Sequence, residues 1–332
     1  MKSMRAGRRF HGRLARLSVV WVLSLMGVGA ARTPGWAQAQ NGSVSTSSTA
    51  YSGPAPAPPP PPYSLPWQLR PVTAANVVRS DTTVSFHELG GTSASTVAST
   101  LLFSYKLAPR FAPVLRMAYI HNAPGSAPGS GNAIVNPLVG ATSSFDLAPG
   151  LRLGVFLGFT VPIGQGGDAP AAMNATAAAA AAGINARSAM DNALFAVNFF
   201  TAIPGVGLAY TRAGFTAQVE ATLLQLVRVR NPAVEKDRSR TNFTSGLHLG
   251  YFIIPMLSVG GELRFQRWLS DPAFLTMWPD RRETISFALG PRAHFKVGNR
   301  WLRPGIAYAQ GIDAPMKTRK DRILQIDIPF VF

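Results

Sequence analysis

Arg322-Ile323-Leu324-Gln325-Ile326-Asp327-Ile328-Pro329-Phe330-Val331-Phe332 closes the 332-residue chain and decides its fold. Side chains of an extended strand alternate between two faces. Leu324, Ile326, Ile328, Phe330 and Phe332 therefore make one continuous apolar face, with Gln325, Asp327, Pro329 and Val331 on the other. Taken alone, the pattern also fits an edge strand of a soluble sandwich. The opposite end of the chain separates the two readings.

Residues 1–39 read as a secretory signal peptide. Lys2, Arg5, Arg8, Arg9, Arg13 and Arg16 precede the apolar run Leu17–Ala30, and Ala37-Gln38-Ala39 supplies the cleavage site. The run is too short to span a membrane comfortably, and nothing after it reaches the roughly 18–20 apolar residues of a transmembrane helix. The formal charge is +17, and losing the seven Lys/Arg of residues 1–39 leaves +10. Charged residues make up 14% and hydrophobic residues 47%, which excludes a disordered chain. Absence of cysteine excludes disulfide scaffolds, thiolate metal sites and thiol nucleophiles. An exported chain of this kind is periplasmic, secreted or a β-barrel.

Residues 40–71 are Ser/Thr-rich and then Pro-rich, and read as a disordered periplasmic spacer. From residue 72 to 332 the pattern is alternating. Val97, Ser99, Leu101, Phe103 and Tyr105 share one face; so do Leu151, Leu153, Val155, Leu157 and Phe159, and again Phe243, Ser245, Leu247, Leu249 and Tyr251. A soluble sandwich would charge the second face richly. Here that face is mostly Gly, Ala, Ser and Thr, which suits a barrel lumen.

Tight, aromatic-flanked turns fall at 105–111, 145–151, 210–215, 252–257 and 295–301. Longer polar connections fall between them at 88–95, 122–132, 163–204, 230–241, 269–282 and 311–319. This alternation predicts about twelve strands, an even number with both termini on the periplasmic side. Aromatics gather at the short-turn ends, with a sparser set (Phe86, Tyr119, Phe159, Trp268, Tyr308) near the long loops. The third long connection carries an Ala-rich helix over Ala169–Ala182, capped by Asp168 and released at Gly183. Ser188 and Asp191 form a capping-box pattern for a second helix through Asn198, although 192–200 also alternates as a strand extension.

The signal peptide, the loop rhythm and the aromatic closing strand together resemble Gram-negative outer-membrane β-barrel proteins of the porin-like kind. That resemblance implies an all-β antiparallel transmembrane barrel in the outer membrane, with Phe330 and Phe332 as part of the signal read by the barrel-assembly machinery. A narrower similarity joins Asn136-Pro137-Leu138-Val139-Gly140 through Thr160-Val161-Pro162-Ile163-Gly164 to the barrel family associated with phenol-degradation loci. Members of that family are associated with passage of hydrophobic aromatic compounds.

Register places Arg116, Arg152, Arg264, Arg292 and Arg303 in the lumen, with Glu220, Glu262, Asp327, His248 and His294. Such a set either gives an anion-favouring constriction or a salt-bridged network that closes the lumen. Arg228, Arg230, Arg238, Arg240, Arg267, Lys320 and Arg322 lie towards the long loops, where they either meet lipopolysaccharide phosphates or stay solvated. No nucleophile elbow, dinucleotide loop or zinc-protease motif occurs, so no enzyme, cofactor or metal is expected. The expected partners are outer-membrane lipid, lipopolysaccharide, the assembly machinery and a small solute; nucleic acid is excluded by export. The expected function is a passive channel for small solutes, anion-favouring or passing small aromatic compounds. The alternative is a non-conducting structural or lipopolysaccharide-interacting barrel plugged by its Ala-rich insertion.

Overall fold

Twelve antiparallel strands pair each with the next in sequence and close on themselves. The computed structural model describes residues 63–231 and 237–332; the signal-peptide reading and most of the Pro-rich segment lie outside these. The barrel strands are β1 Val77–Leu89, β2 Thr92–Ser104, β3 Phe111–Ala123, β4 Leu138–Ala148, β5 Leu151–Thr160 and β6 Phe199–Arg212. They continue as β7 Phe215–Arg228, β8 Ser239–Ile254, β9 Leu257–Trp268, β10 Glu283–Ala293, β11 Gly305–Gly311 and β12 Arg322–Val331. Closure comes from β1 against β12, in register from Val77 opposite Val331 to Phe86 opposite Arg322. A closed barrel leaves no strand edge unpaired, which is what a strand structure needs in lipid.

Burial follows the alternation. Leu115, Met117, Val155, Leu157, Leu247, Leu249, Leu324 and Ile326 are exposed on the outer wall. Residues on the opposite face of the strands, among them Gln218, Glu220, Thr244, His248, Glu262, Arg264, Gln325 and Asp327, are buried inside. Apolar residues outside and polar residues inside reverse a soluble protein, and suit lipid outside. Tyr105, Phe111, Phe145, Tyr210, Phe215, Tyr251 and Phe332 form an exposed aromatic set at the short-turn end.

The structure corrects several expectations. The connection at 88–95 is a two-residue turn between β1 and β2, not a long loop. Gly90 and Gly91 both have positive φ, 56° and 78°, as the tightest hairpin turns require. Trp268 leaves the outer aromatic set: it points inward, buried, with its ring edge-on to Phe274. The Ala-rich helix, α1, spans Ala175–Ala186 and is capped by Asn174, whose side chain accepts from the Ala177 amide. Gly183 lies inside that helix, because a Cβ there would strike the Phe195 ring. The second helix, α2, is only Asn192–Phe195, and strand begins again at Phe199. A further correction concerns the N-terminal segment and is described with the lumen.

Closure requires near backbone contact between β10 and β11, where a Cβ at Gly290 would run into the Ile306 carbonyl and Ala307 Cα. Gly290→Val is expected to abolish the heat-modifiable folded band on semi-native electrophoresis; a normal yield would contradict this register.

Candidate functional site

The lumen wall is built from small or polar side chains: Ala98, Thr100, Thr142, Gly154, Gly207, Thr216, Thr222, Gly246, Ala288 and Ala307 all face inward. A wall of this composition does not fill a twelve-stranded barrel by itself. Two stretches of the chain fill it instead, one in each half.

The short-turn half holds Tyr63–Val72. Ser64 donates its amide to Thr216 Oγ1 (2.9 Å) near the short turns. Trp67 and Gln68 amides reach the Glu262 carboxylate at 2.7 and 3.0 Å, deeper in the barrel. Arg70 returns towards the opening, with its amide and a guanidinium nitrogen each 2.6 Å from Glu220. Val72 then lies against Gly154 and Gly207, where any Cβ would meet it at about 3 Å. The segment thus enters the barrel, turns at Trp67–Leu69 and comes back to start β1. The wall holds its carbonyls too: Arg79 donates to Pro66 and Trp67 oxygens (2.9 and 2.5 Å), and Gln325 Nε2 to Trp67 (3.2 Å). The Trp67 indole donates to the Gly260 carbonyl (3.1 Å) and lies 4.4 Å from the Arg292 guanidinium. Tyr63 hydrogen-bonds Gln218. A cleft of about 10 Å³, lined by Arg70, Val72, Phe156 and Glu220 among others, lies beside this segment. That is room for about one water molecule.

The sequence reading ended the Pro-rich spacer at Pro71. Its described part is not a spacer outside the barrel but a filling inside it. Proline density hid the signal, which is Ser64-Leu65-Pro66-Trp67-Gln68-Leu69-Arg70: apolar residues with one aromatic and one cation.

The long-loop half holds the insert between β5 and β6. Ala179, Ala180, Leu194 and Phe195 pack with Ala98, Ile120, Leu138, Leu224, Leu226 and Trp268 in one apolar cluster. Alanine suits this place, since a helix with larger side chains would not fit against the wall. Between the insert and the wall runs a buried chain of alternating charge. Arg187 lies 2.7 Å from Asp81 on β1 and 3.0 Å from Asp191. Asp191 accepts from both terminal nitrogens of Arg116 on β3, at 2.6 and 2.8 Å. Burial alone would push the Asp191 carboxyl up, but Arg116 and Arg187 outweigh it and hold it well below the usual carboxylate range. Asp191 therefore precedes α2 without capping it, its carboxylate being used by the two arginines.

The two fillings meet through the wall. Arg264 donates to Glu262 (2.6 Å), Gln325 (3.1 Å) and Ser188 of the insert (3.2 Å). Gln325 also donates to Asp81 (2.9 Å).

No protein-family model matches the chain, and no curated protein matches it. Among solved structures it is similar to an outer membrane channel from Pseudomonas putida F1, at 13% identity and a TM-score of 0.49, over 80% of this chain and 98% of that one. The NanC porin aligns at 8% identity and 0.46 (76% and 98% covered), and the KdgM porin at 8% and 0.44 (77% and 99%). The closed sheet, apolar outside and polar within, is by itself that of a transmembrane β-barrel.

Each lumen residue inferred from register faces inward. Asp327 pairs with Arg79 (2.7 Å) and Arg292 (2.6 Å). His294 bonds Ser258 (2.8 Å), and His248 lies 3.4 Å from Ser64. Arg152 pairs with Asp146 at the short-turn rim (2.7 Å), and Arg303 gives its carbonyl to Arg292 (2.8 Å). Sequence reasoning missed Arg70, Arg79, Asp81, Arg187 and Asp191 as members of this network.

The basic long-loop set divides. Arg267 and Arg322 face outward, and Arg238 and Lys320 are exposed on loops or strand ends; Arg267 pairs with Glu283 (3.2 Å), and Lys320 with Glu88 (2.7 Å). Arg228 and Arg240 instead face inward, 4.6 and 4.7 Å from the Phe199 ring, away from lipid. Register decides this: even-numbered positions of β7 and β8 point to the lumen. Arg230 donates to the Pro162 and Gly164 carbonyls, tying the insert's first residues.

Removing one partner of a buried ion pair costs about 3–5 kcal/mol. Arg187→Ala is expected to expose α1 to limited proteolysis while the barrel keeps its heat-modifiable band; an equally resistant helix would contradict an insert held by these ion pairs. A depressed folded-state pKa contributes stability above the unfolded value and loses it only as pH falls through the folded one. Wild-type α1 should therefore stay resistant at pH about 5.

Proposed function

We propose that the protein is a passive outer-membrane channel for small solutes, shut in this conformation by its two lumen fillings. The observation that carries the reading is that the wall does not close its own lumen. Eight-stranded barrels fill with wall side chains; here twelve strands present small residues, and the closure comes from segments joined to the wall by hydrogen bonds and ion pairs. Segments held in this way leave the wall intact when they withdraw. Arg116, Arg264 and Arg292 would then line the path beside Glu220, Glu262 and Asp327, favouring polar solutes with an anionic group. Passage of small aromatic compounds is the variant of this reading that the narrower resemblance supports.

In the same reading both termini lie on the periplasmic side and the long loops outside. Arg238, Arg267, Lys320 and Arg322 would face lipopolysaccharide phosphates, while Phe330 and Phe332 present the closing strand to the barrel-assembly machinery. The competing reading is a permanently plugged, structural barrel, favoured by the filling of both halves.

Conductance in planar bilayers separates the two. Because each half is filled separately, deletion of 63–71 alone or of 168–187 alone should leave the barrel nearly silent. The double deletion should give steady, large steps. A double deletion that refolds to the heat-modifiable form and stays silent would overturn the channel.

A further inference from the structure

Insert and wall meet through two pairs of opposite charges that complement each other. On the wall, Asp81 and Arg116 flank Thr100 on one inward face, and Thr100 Oγ1 bonds the Asp81 carbonyl (3.4 Å) and lies 3.5 Å from Arg116. From the insert, the Arg187 guanidinium and Asp191 carboxylate, themselves 3.0 Å apart, present a cation to Asp81 and an anion to Arg116. All four side chains are largely buried, so neither wall charge has bulk water to fall back on. We propose that Asp81 and Arg116 form a binding site for a small zwitterionic solute, occupied in the shut barrel by Arg187 and Asp191 as an internal stand-in for it. The proposal rests on the channel reading and names the chemical class that channel would take.

Charge balance selects the class. A simple carboxylate on Arg116 would leave Asp81 with the neutral Gln325 donor but without the cation that Arg187 supplies, and a simple cation on Asp81 would leave Arg116 with Thr100 but without an anion; burying an unpaired charge is strongly unfavourable. A molecule carrying both charges satisfies both. The fork of Arg116 adds geometry, since its two terminal nitrogens already hold a carboxylate by parallel bonds. The backbone between the stand-in charges is strained: Ser188 and Ala189 follow each other with φ of 51° and 56°, a left-handed region that non-glycine residues avoid. A free solute would bind the same wall without that strain, and so competes with the insert.

The probe is 4-guanidinobutyrate, which carries a guanidinium and a carboxylate and no net charge; butyrate and butylguanidine carry one group each. Titration calorimetry uses the refolded full chain and its Arg187→Gln/Asp191→Asn variant, which keeps both side chains polar and removes the stand-in charges. The variant is expected to bind the probe at least about tenfold more tightly than the wild type. Neither half-probe should match it, and adding Arg116→Gln should abolish the gain. Equal affinity in wild type and variant, or butyrate binding as well as the probe, would overturn the site. A wild-type measurement guards against a misfolded variant. Saturating probe should speed proteolysis within 168–187 where butyrate does not, and unchanged cleavage would likewise overturn the site. The channel reading fails separately: a barrel that binds the probe but stays silent without its fillings has the site and no pathway.

Discussion

Glu262 shows the constraint on which the interior depends. It sits on a strand, buried, and a carboxylate in that position needs donors around it. Arg264 on the same strand supplies one, and the Trp67 and Gln68 amides supply others. Glu220 likewise takes Arg70, and Arg116 takes Asp191. The wall therefore keeps charges that it cannot satisfy alone, and two segments from elsewhere in the chain satisfy them. Ionic complementarity determines where each segment rests, while small wall residues make the room.

The two halves of the lumen solve this differently. Near the short turns the filling is an extended strap, and its backbone is read by side chains of the wall: Glu262 takes amides while Arg79 and Gln325 give to carbonyls. Near the long loops the filling is a helix that satisfies its own backbone, so alanine methyls can meet an apolar wall. At its end, from Arg187 to Asp191, the helical insert engages the buried wall charges Asp81 and Arg116. Arg264 holds the insert through Ser188, Gln325 holds the strap through the Trp67 carbonyl, and an Arg264–Gln325 hydrogen bond joins the two, so the fillings are linked through the wall.

The barrel was legible in the chain because lipid and lumen impose opposite demands on alternate residues. Leu324, Ile326, Gln325 and Asp327 obey that rule within four positions. The lumen direction of Arg116, Arg264, Arg292 and Asp327 follows from the same parity. What parity does not convey is a partner from a distant segment. Tyr63–Val72 sits in no periodic element, and much of its hold on the wall comes from main-chain amides and carbonyls, which carry no sequence signature. Arg228 and Arg240 were placed by their nearness to a loop, although their even positions on β7 and β8 already turn them inward. The helix begins at Ala175 rather than after Asp168, whose carboxylate faces Asn231 (3.3 Å) and Arg230 (3.8 Å) at the mouth and caps no helix.

Amide hydrogen exchange on the refolded full-length barrel tests the central claim directly, because it reports whether both fillings reside inside. The account expects the Trp67 and Gln68 amides and those of Ala178–Ala186 to exchange as slowly as amides of the barrel strands. Exchange of either set at the rate of an open surface loop, with the strands still protected, would contradict it.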